Sequence, residues 1–183
     1  MQMLIRPSLP SRNLLDKLLR IDQAIGSAAK CVYKGQLAVL KNGLVVDSLL
    51  DNLTEERSNI AKFERLMPLN RTRPSALMPV WKAAGFAFGI TTGLLGEEAA
   101  KTFNSAVETV VAEQYNHQIR ELFADDPTAH GELLNLLKQC RDKGLERLDL
   151  SHENDSNSGL FYYQLSQFAK ICTIAGIKVA KVV

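Results

Sequence analysis

The apolar residues of this chain recur with the period of a helix and nowhere with that of a strand. Leu14, Leu15, Leu18 and Ile21 open a stripe at three- and four-residue spacing. It runs on through Cys31, Val32, Leu37 and Leu40 until "KNG" (41–43) stops it. A second helix is expected over about 45–67, ended by Pro68. "LNRTRPSALMPV", with Pro74 and Pro79, reads as a connection holding at most a short helical piece. A long apolar helical region follows from Trp81 to Phe123, then "DDP" and a helix over about 128–150. The polar run 151–159 reads as a loop before a last helix. The expectation is an all-α fold: an antiparallel four-helix bundle with an additional connecting helix and a C-terminal helix. Residues 14–183 form its single domain, behind a flexible lead-in at 1–13.

With 22 basic and 20 acidic residues the net charge is +2, so no electrostatic case exists for nucleic acid. Cys31, Cys140 and Cys172 are too few and too scattered for a disulfide framework, and each sits in an apolar helical context. No stretch reaches the roughly 18–20 apolar residues that span a bilayer. "MQMLIRPSLPSR" is free of acid and carries two arginines, a faint echo of a mitochondrial presequence.

One short motif bears on chemistry. In "EERSNI" (55–60), Glu56 and Asn59 lie three apart on one helix face. With His for Asn it would be the Glu-x-x-His pair that holds metal in helical-bundle oxidases. A weak internal two-fold would compare Gly26 with Glu108, and Glu56 and Asn59 with Gly144 and Arg147.

From residue 14 onwards the chain resembles the demethoxyubiquinone hydroxylases of ubiquinone biosynthesis. The resemblance lies in "LLRIDQA" (18–24), "YKGQLAVL" (33–40), "KFERLM" (62–67), "RPSALMPVWKAAGFAFGITTGLLGEEAA" (73–100) and "VETVVAEQYNHQIREL" (107–122), and it continues to the C-terminal helix. It implies a ferritin-like fold, a di-iron monooxygenase and association with a membrane. The family's six iron ligands, a Glu on helices one and three and Glu-x-x-His on helices two and four, fall here on Gly26, Glu108, Glu56 with Asn59, and Gly144 with Arg147. Glu56 and Glu108 alone keep ligand identities. Glycine offers no donor, a neutral amide is a poor substitute for imidazole, and a guanidinium cannot bind a cation. Buried carboxylates still need a counter-charge, and Arg147 is expected to stand where the metal charge stood, tying Glu56 and Glu108 into a salt-bridged core.

Glu113 with His117 and Asp149 with His152 share helical faces, and are expected to be surface groups rather than a relocated metal site. His130 has no acidic partner at ligand spacing. Within 77–96, Gly85, Gly89, Gly93 and Gly96 thin one side of an apolar helix. On the residues alone this reads as a buried core helix; Trp81 and Lys82 head it as interfacial anchors do, and the resemblance implies approach to a membrane here, so Trp81, Phe86, Phe88, Leu94 and Leu95 are expected to face a membrane or partner. The last helix carries Lys170, Lys178 and Lys181 among apolar residues, which fits an anionic membrane face and a packed terminal helix equally. The resemblance sets Tyr115 and Asn116 beside the site, under the substrate head group or behind the ligands.

Three readings follow: a family member without iron that keeps quinone and partner binding; an active hydroxylase with an altered site, its iron on Glu56 and Glu108; and a non-enzymatic bundle for another apolar ligand. No cofactor is expected under the first, iron under the second. Expected partners are a quinone or other isoprenoid lipid, a membrane surface, a lipid-binding accessory protein of the same pathway and a second copy of the chain. The expected place is the mitochondrial inner membrane in a eukaryote, peripherally bound, or the cytoplasmic face of the inner membrane in a bacterium.

Overall fold

A computed structural model describes residues 9–41, 43–126, 128, 130–152 and 159–181, without the side chains of 9–12, 151 and 152. Six helices occur among them: α1 (Leu9–Val39), α2 (Leu44–Leu69), α3 (Met78–Leu94), α4 (Glu97–Asp125), α5 (Gly131–His152) and α6 (Leu160–Ala180). The chain is an all-α helical bundle. α1 pairs with α2 and α4 with α5, while α3 lies along α1 and α6 along α4.

Several boundaries differ from the pattern-based ones. α1 starts at Leu9, inside the segment expected to be flexible, and residues 1–8 lie outside the described ones. The side chains of the presequence-like stretch 1–12 lie outside the described residues. Pro68 sits within the last turn of α2, where a proline removes only one hydrogen bond. Asn70 caps that turn, its side-chain amide donating to the Leu66 carbonyl at 2.9 Å. The long region from Trp81 to Phe123 is two helices, because Gly96 adopts φ 104°, a conformation costly for any residue with a Cβ. Ser151 and His152, expected in a loop, complete α5, and 153–158 lie outside the described residues.

The main core joins α1, α2, α4 and α5 through Leu15, Leu18, Leu19, Phe63, Leu66, Leu122 and Leu137. α3 docks by a different rule. A Cβ at Gly85 would lie 2.5 Å from the Ala28 carbonyl oxygen, and one at Gly89 would lie 2.1 Å from that of Val32. The two backbones touch, so the glycine side of α3 is used up on α1. A polar clasp sets the register there. The amides of Gln36 and Asn104 exchange two 3.0 Å hydrogen bonds, and Gln36 also donates to the Thr92 hydroxyl at 3.1 Å.

α6 inverts the usual helical pattern. Small Ala169 and Ala180 are buried with Ile177, whereas Phe161, Phe168, Ile171 and Val179 are exposed, Ile171 by 65%. Val80, Phe86 and Leu94 are exposed on α3, Leu94 by 72%, as is Leu95 just after it. No helix of the described residues is long and apolar enough to cross a membrane.

Candidate functional site

On α5, Lys143 and Arg147 are one turn apart and meet carboxylates from two other helices. Arg147 donates through Nε to one oxygen of Glu108 on α4 at 3.0 Å, and its Nη2 is ion-paired with the same oxygen at 2.8 Å. Its Nη1 reaches Glu55 on α2 at 2.6 Å, and Nη2 lies 3.8 Å from Glu56. Lys143 Nζ sits 2.6 Å from the other oxygen of Glu55. From α1, the Tyr33 hydroxyl donates to Glu108 at 3.2 Å. One guanidinium thus links α2, α4 and α5, and a phenol adds α1.

Three carboxylates here face two cations, which leaves one negative charge without a match. Glu56, the acid farthest from the guanidinium, is pushed up to about 7, by burial first and then by the negative charge of Glu108. Glu108 is also raised, chiefly by burial, with Arg147 and the Tyr33 hydroxyl pulling it back. Burial opposes the charge of Arg147, yet the neighbouring acids raise its pKa overall.

The two glycines let neighbours fill the space that ligands would use. A Cβ on Gly144 would lie 2.9 Å from Glu108 Oε2, and one on Gly26 would lie 2.9 Å from Ile60 Cγ1 and 3.4 Å from Glu56 Oε2. Asn59 is buried on α2. Gly26, Glu56, Glu108, Gly144 and Arg147 therefore do converge, with Arg147 between the carboxylates. Among the described residues, no group of three or more His, Cys, Asp and Glu side chains could hold a metal ion.

Beside this charged knot lies a cavity of about 150 Å³, walled by Ala24, Ala28, Val32, Phe88, Phe103 and Gly176 among others from α1, α3, α4 and α6. Phe88 stacks on Phe103 with centroids 5.8 Å apart and meets the Phe168 ring edge-on at 6.2 Å. Trp81 and Phe88, expected at a membrane or partner surface, instead form part of this wall. Docking the glycine face on α1 turns them inward and leaves Phe86, Leu94 and Leu95 outside. Cys172 lines the cavity too, Cys140 is buried, and all three cysteines are free thiols.

Tyr115 and Asn116 are not in the cavity wall. Tyr115 belongs to the core with Phe63 and Leu133, and the Asn116 side-chain oxygen accepts from Arg141 at 3.1 Å, across α4 and α5. Glu113 and His117 are exposed, as is Asp149, while the His152 side chain lies outside the described residues. His130 is buried with Nε2 2.7 Å from Asp125, five residues before it and so not at ligand spacing.

Sequence reasoning missed Glu55, Lys143 and Tyr33. Two signals pointed to Lys143 and Tyr33. Lys143 and Arg147 are four apart, a paired cation face, and Tyr33 lies seven after Gly26, two turns along the same face.

Carboxylates projecting inward from facing helices place the molecule in the class of helical bundles that build polar sites at their centre. Within that class, the chain belongs to the family of the ubiquinone biosynthesis protein COQ7, whose model matches residues 13–180. It is 39% identical over 173 residues to the human "NADPH-dependent 3-demethoxyubiquinone 3-hydroxylase, mitochondrial", spanning 93% of this chain and 76% of that one. To the "3-demethoxyubiquinol 3-hydroxylase" of Rhodospirillum rubrum it is 35% identical, over 91% and 76% of the two chains. To the yeast "5-demethoxyubiquinone hydroxylase, mitochondrial" it is 34% identical, over 88% and 75%.

Proposed function

We propose that this chain serves ubiquinone biosynthesis as a quinone-binding member of its family that does not hold the di-iron centre. One observation carries the reading: an Arg147 nitrogen lies 2.8 Å from Glu108, at the place where a metal charge would have to sit. A ferrous ion there would meet a fixed positive charge, and would find carboxylates without imidazoles. The residues present do not fit a pair of irons. With Gly26 and Gly144 supplying no donor and Asn59 an amide, Arg147 takes over the neutralising role of the metal. No hydroxylation step follows from such a set.

The ligand half of the reading rests on the cavity, whose apolar walls suit a quinone and whose flanks on α3 and α6 are exposed and apolar. An isoprenoid tail does not leave lipid for water, so a peripheral membrane position goes with it. That position is the inner mitochondrial membrane in a eukaryote and the cytoplasmic face in a bacterium, with a lipid-binding protein of the pathway as accessory partner. Two of the similar proteins named above are called mitochondrial.

The test is iron loading and turnover. Protein reconstituted anaerobically with ferrous iron and desalted should retain well under one iron per chain. It should also show no demethoxyubiquinone hydroxylation with reductant and dioxygen, while a quinone should still co-purify or bind. Stoichiometric iron with turnover overturns the reading in favour of an altered-site hydroxylase. Binding of unrelated apolar molecules, with quinones excluded, favours a bundle for another ligand.

A further inference from the structure

A polar seam joins α1 to α4 beside the cavity that both helices wall. Among the described residues three side-chain ties cross it: Gln36 with Asn104, Tyr33 with Glu108, and Asp22 with Gln118. The first exchanges two hydrogen bonds, and the second ends on an acid that Arg147 neutralises. The third is unfinished. Gln118 Nε2 donates to Asp22 Oδ1 at 2.8 Å, yet Asp22 Oδ2 and Gln118 Oε1 have no partner, and both residues are fully buried. The pair thus holds two orphan acceptors and lacks one donor, which a proton on Asp22 supplies.

We infer that Asp22 and Gln118 form a proton-held latch between α1 and α4: the acid Oδ2–H donates to Gln118 Oε1 and closes a two-bond ring, and loss of that proton to water loosens the seam beside the cavity. No cation among the described residues answers Asp22 in its place. On α1 Arg20 pairs with Asp16, and the Gln23 amide goes to Glu64 of α2 at 3.2 Å. Tyr115 of α4 and Cys140 of α5 feel the Asp22 charge, and burial keeps both protonated. Glu55, Glu56 and Lys62 of α2 act on Cys140 as well, and α6 brings Ala180 to this level of α1. Burial therefore raises Asp22 to about 8, with the Gln118 bond opposing. Once ionised, Asp22 leaves a carboxylate facing no donor but Gln118 Nε2, in a place closed to water. Ala24, two residues on, lines the cavity, so the latch sits at its α1 wall.

Nuclear magnetic resonance of the full chain tests this. In wild-type protein with ¹³C-labelled aspartate carboxyls, the Asp22 resonance should sit at its protonated position at pH 6 and move with a midpoint of about 8. The protons on Gln118 Nε2 exchange with water when the seam opens. Corrected for intrinsic chemistry, that exchange should rise about fivefold from pH 7 to pH 8. A group protonated only in the closed state gives about tenfold per pH unit below its midpoint, and the slope softens as the midpoint is reached. Asp22→Asn cannot titrate and keeps a donor for Gln118 Oε1, so the rise should fall to about twofold or less. Gln36, tied to Asn104 on the same seam without a titrating partner, should change by about twofold or less in both proteins. An ionised Asp22 at pH 6, its orphan oxygens fed by buried water, overturns the latch, and that measurement needs no variant to fold. So does a rise that survives Asp22→Asn, or one that Gln36 shares.

Discussion

Arg147 on α5 and Glu108 on α4 are joined at one carboxylate oxygen by a 3.0 Å hydrogen bond from Nε and a 2.8 Å ion-pair contact from Nη2. Both side chains are largely withdrawn from water, with 16% and 12% exposure. Removing the cation therefore strands acids in a poorly solvated place. Arg147→Ala should cost about 3–5 kcal/mol in urea unfolding, against about 0.5 kcal/mol or less for exposed Arg57→Ala. Arg147→Leu combined with Glu55→Gln, Glu56→Gln and Glu108→Gln should recover most of that loss. Equal effects of Arg147→Ala and Arg57→Ala would refute the clamp.

Asp22 gives the fold a pH dependence of unusual sign. It is fully buried, accepts one 2.8 Å bond from Gln118, and burial raises it from 3.8 to about 8. Glu56 is raised in the same sense, to about 7. In both cases the folded protein holds protons that the unfolded chain has released. This stability is fully present below the ordinary carboxyl pKa and is lost as pH rises through about 7 and 8. Melting should be higher at pH 6 than at pH 8.5. Asp22→Asn, neutral at every pH, should reduce that difference and stabilise the protein at pH 8.5 by at least about 1 kcal/mol.

Gly89→Ala tests the contact of α1 with α3. Its Cβ would sit 2.1 Å from the Val32 carbonyl oxygen, and a backbone atom cannot rotate away. We expect a loss of about 2 kcal/mol or more by chemical denaturation, in line with overpacking costs. Gly131→Ala, with open space at its Cβ, should change stability little.

Rebuilding the metal site should need more than its ligands. Gly26→Glu, Asn59→His, Gly144→Glu and Arg147→His together put a Cβ 2.9 Å from Ile60 Cγ1, which closes the space from α2. The fourfold variant should bind iron substoichiometrically, and adding Ile60→Ala should raise retention toward the pair that such ligand sets hold. Metal analysis after desalting checks this.

Membrane association should depend on the outward faces of α3 and α6. Wild-type protein should float with anionic vesicles at moderate salt, and Phe86→Asp with Leu94→Asp should leave it at the bottom of the gradient, since both side chains are exposed. Trp81→Phe should still float, because that ring faces the cavity.

The sequence alone determined that the chain folds into helices, though not every helix boundary, and it brought the six family ligand positions into view. Their apolar period and motifs are local properties, readable from neighbours three and four residues away. Arg147 beside Glu56 and Glu108 was legible for the same reason: a lost ligand set leaves charges that must be matched. What the tertiary structure decided was direction. Glu55 competes with Glu56 for the same guanidinium, and only the relative rotation of α2 and α5 settles that Glu55 is the nearer, at 2.6 against 3.8 Å. Trp81 and Phe88 turn inward because Gly85 and Gly89 dock α3 backbone to backbone on α1. The large apolar residues of α6 face outward because its small residues are the ones that fit against α1 and α4. Helical period tells which residues share a face. Which face meets which neighbour is set by close packing between segments far apart in the chain, and that information is not local.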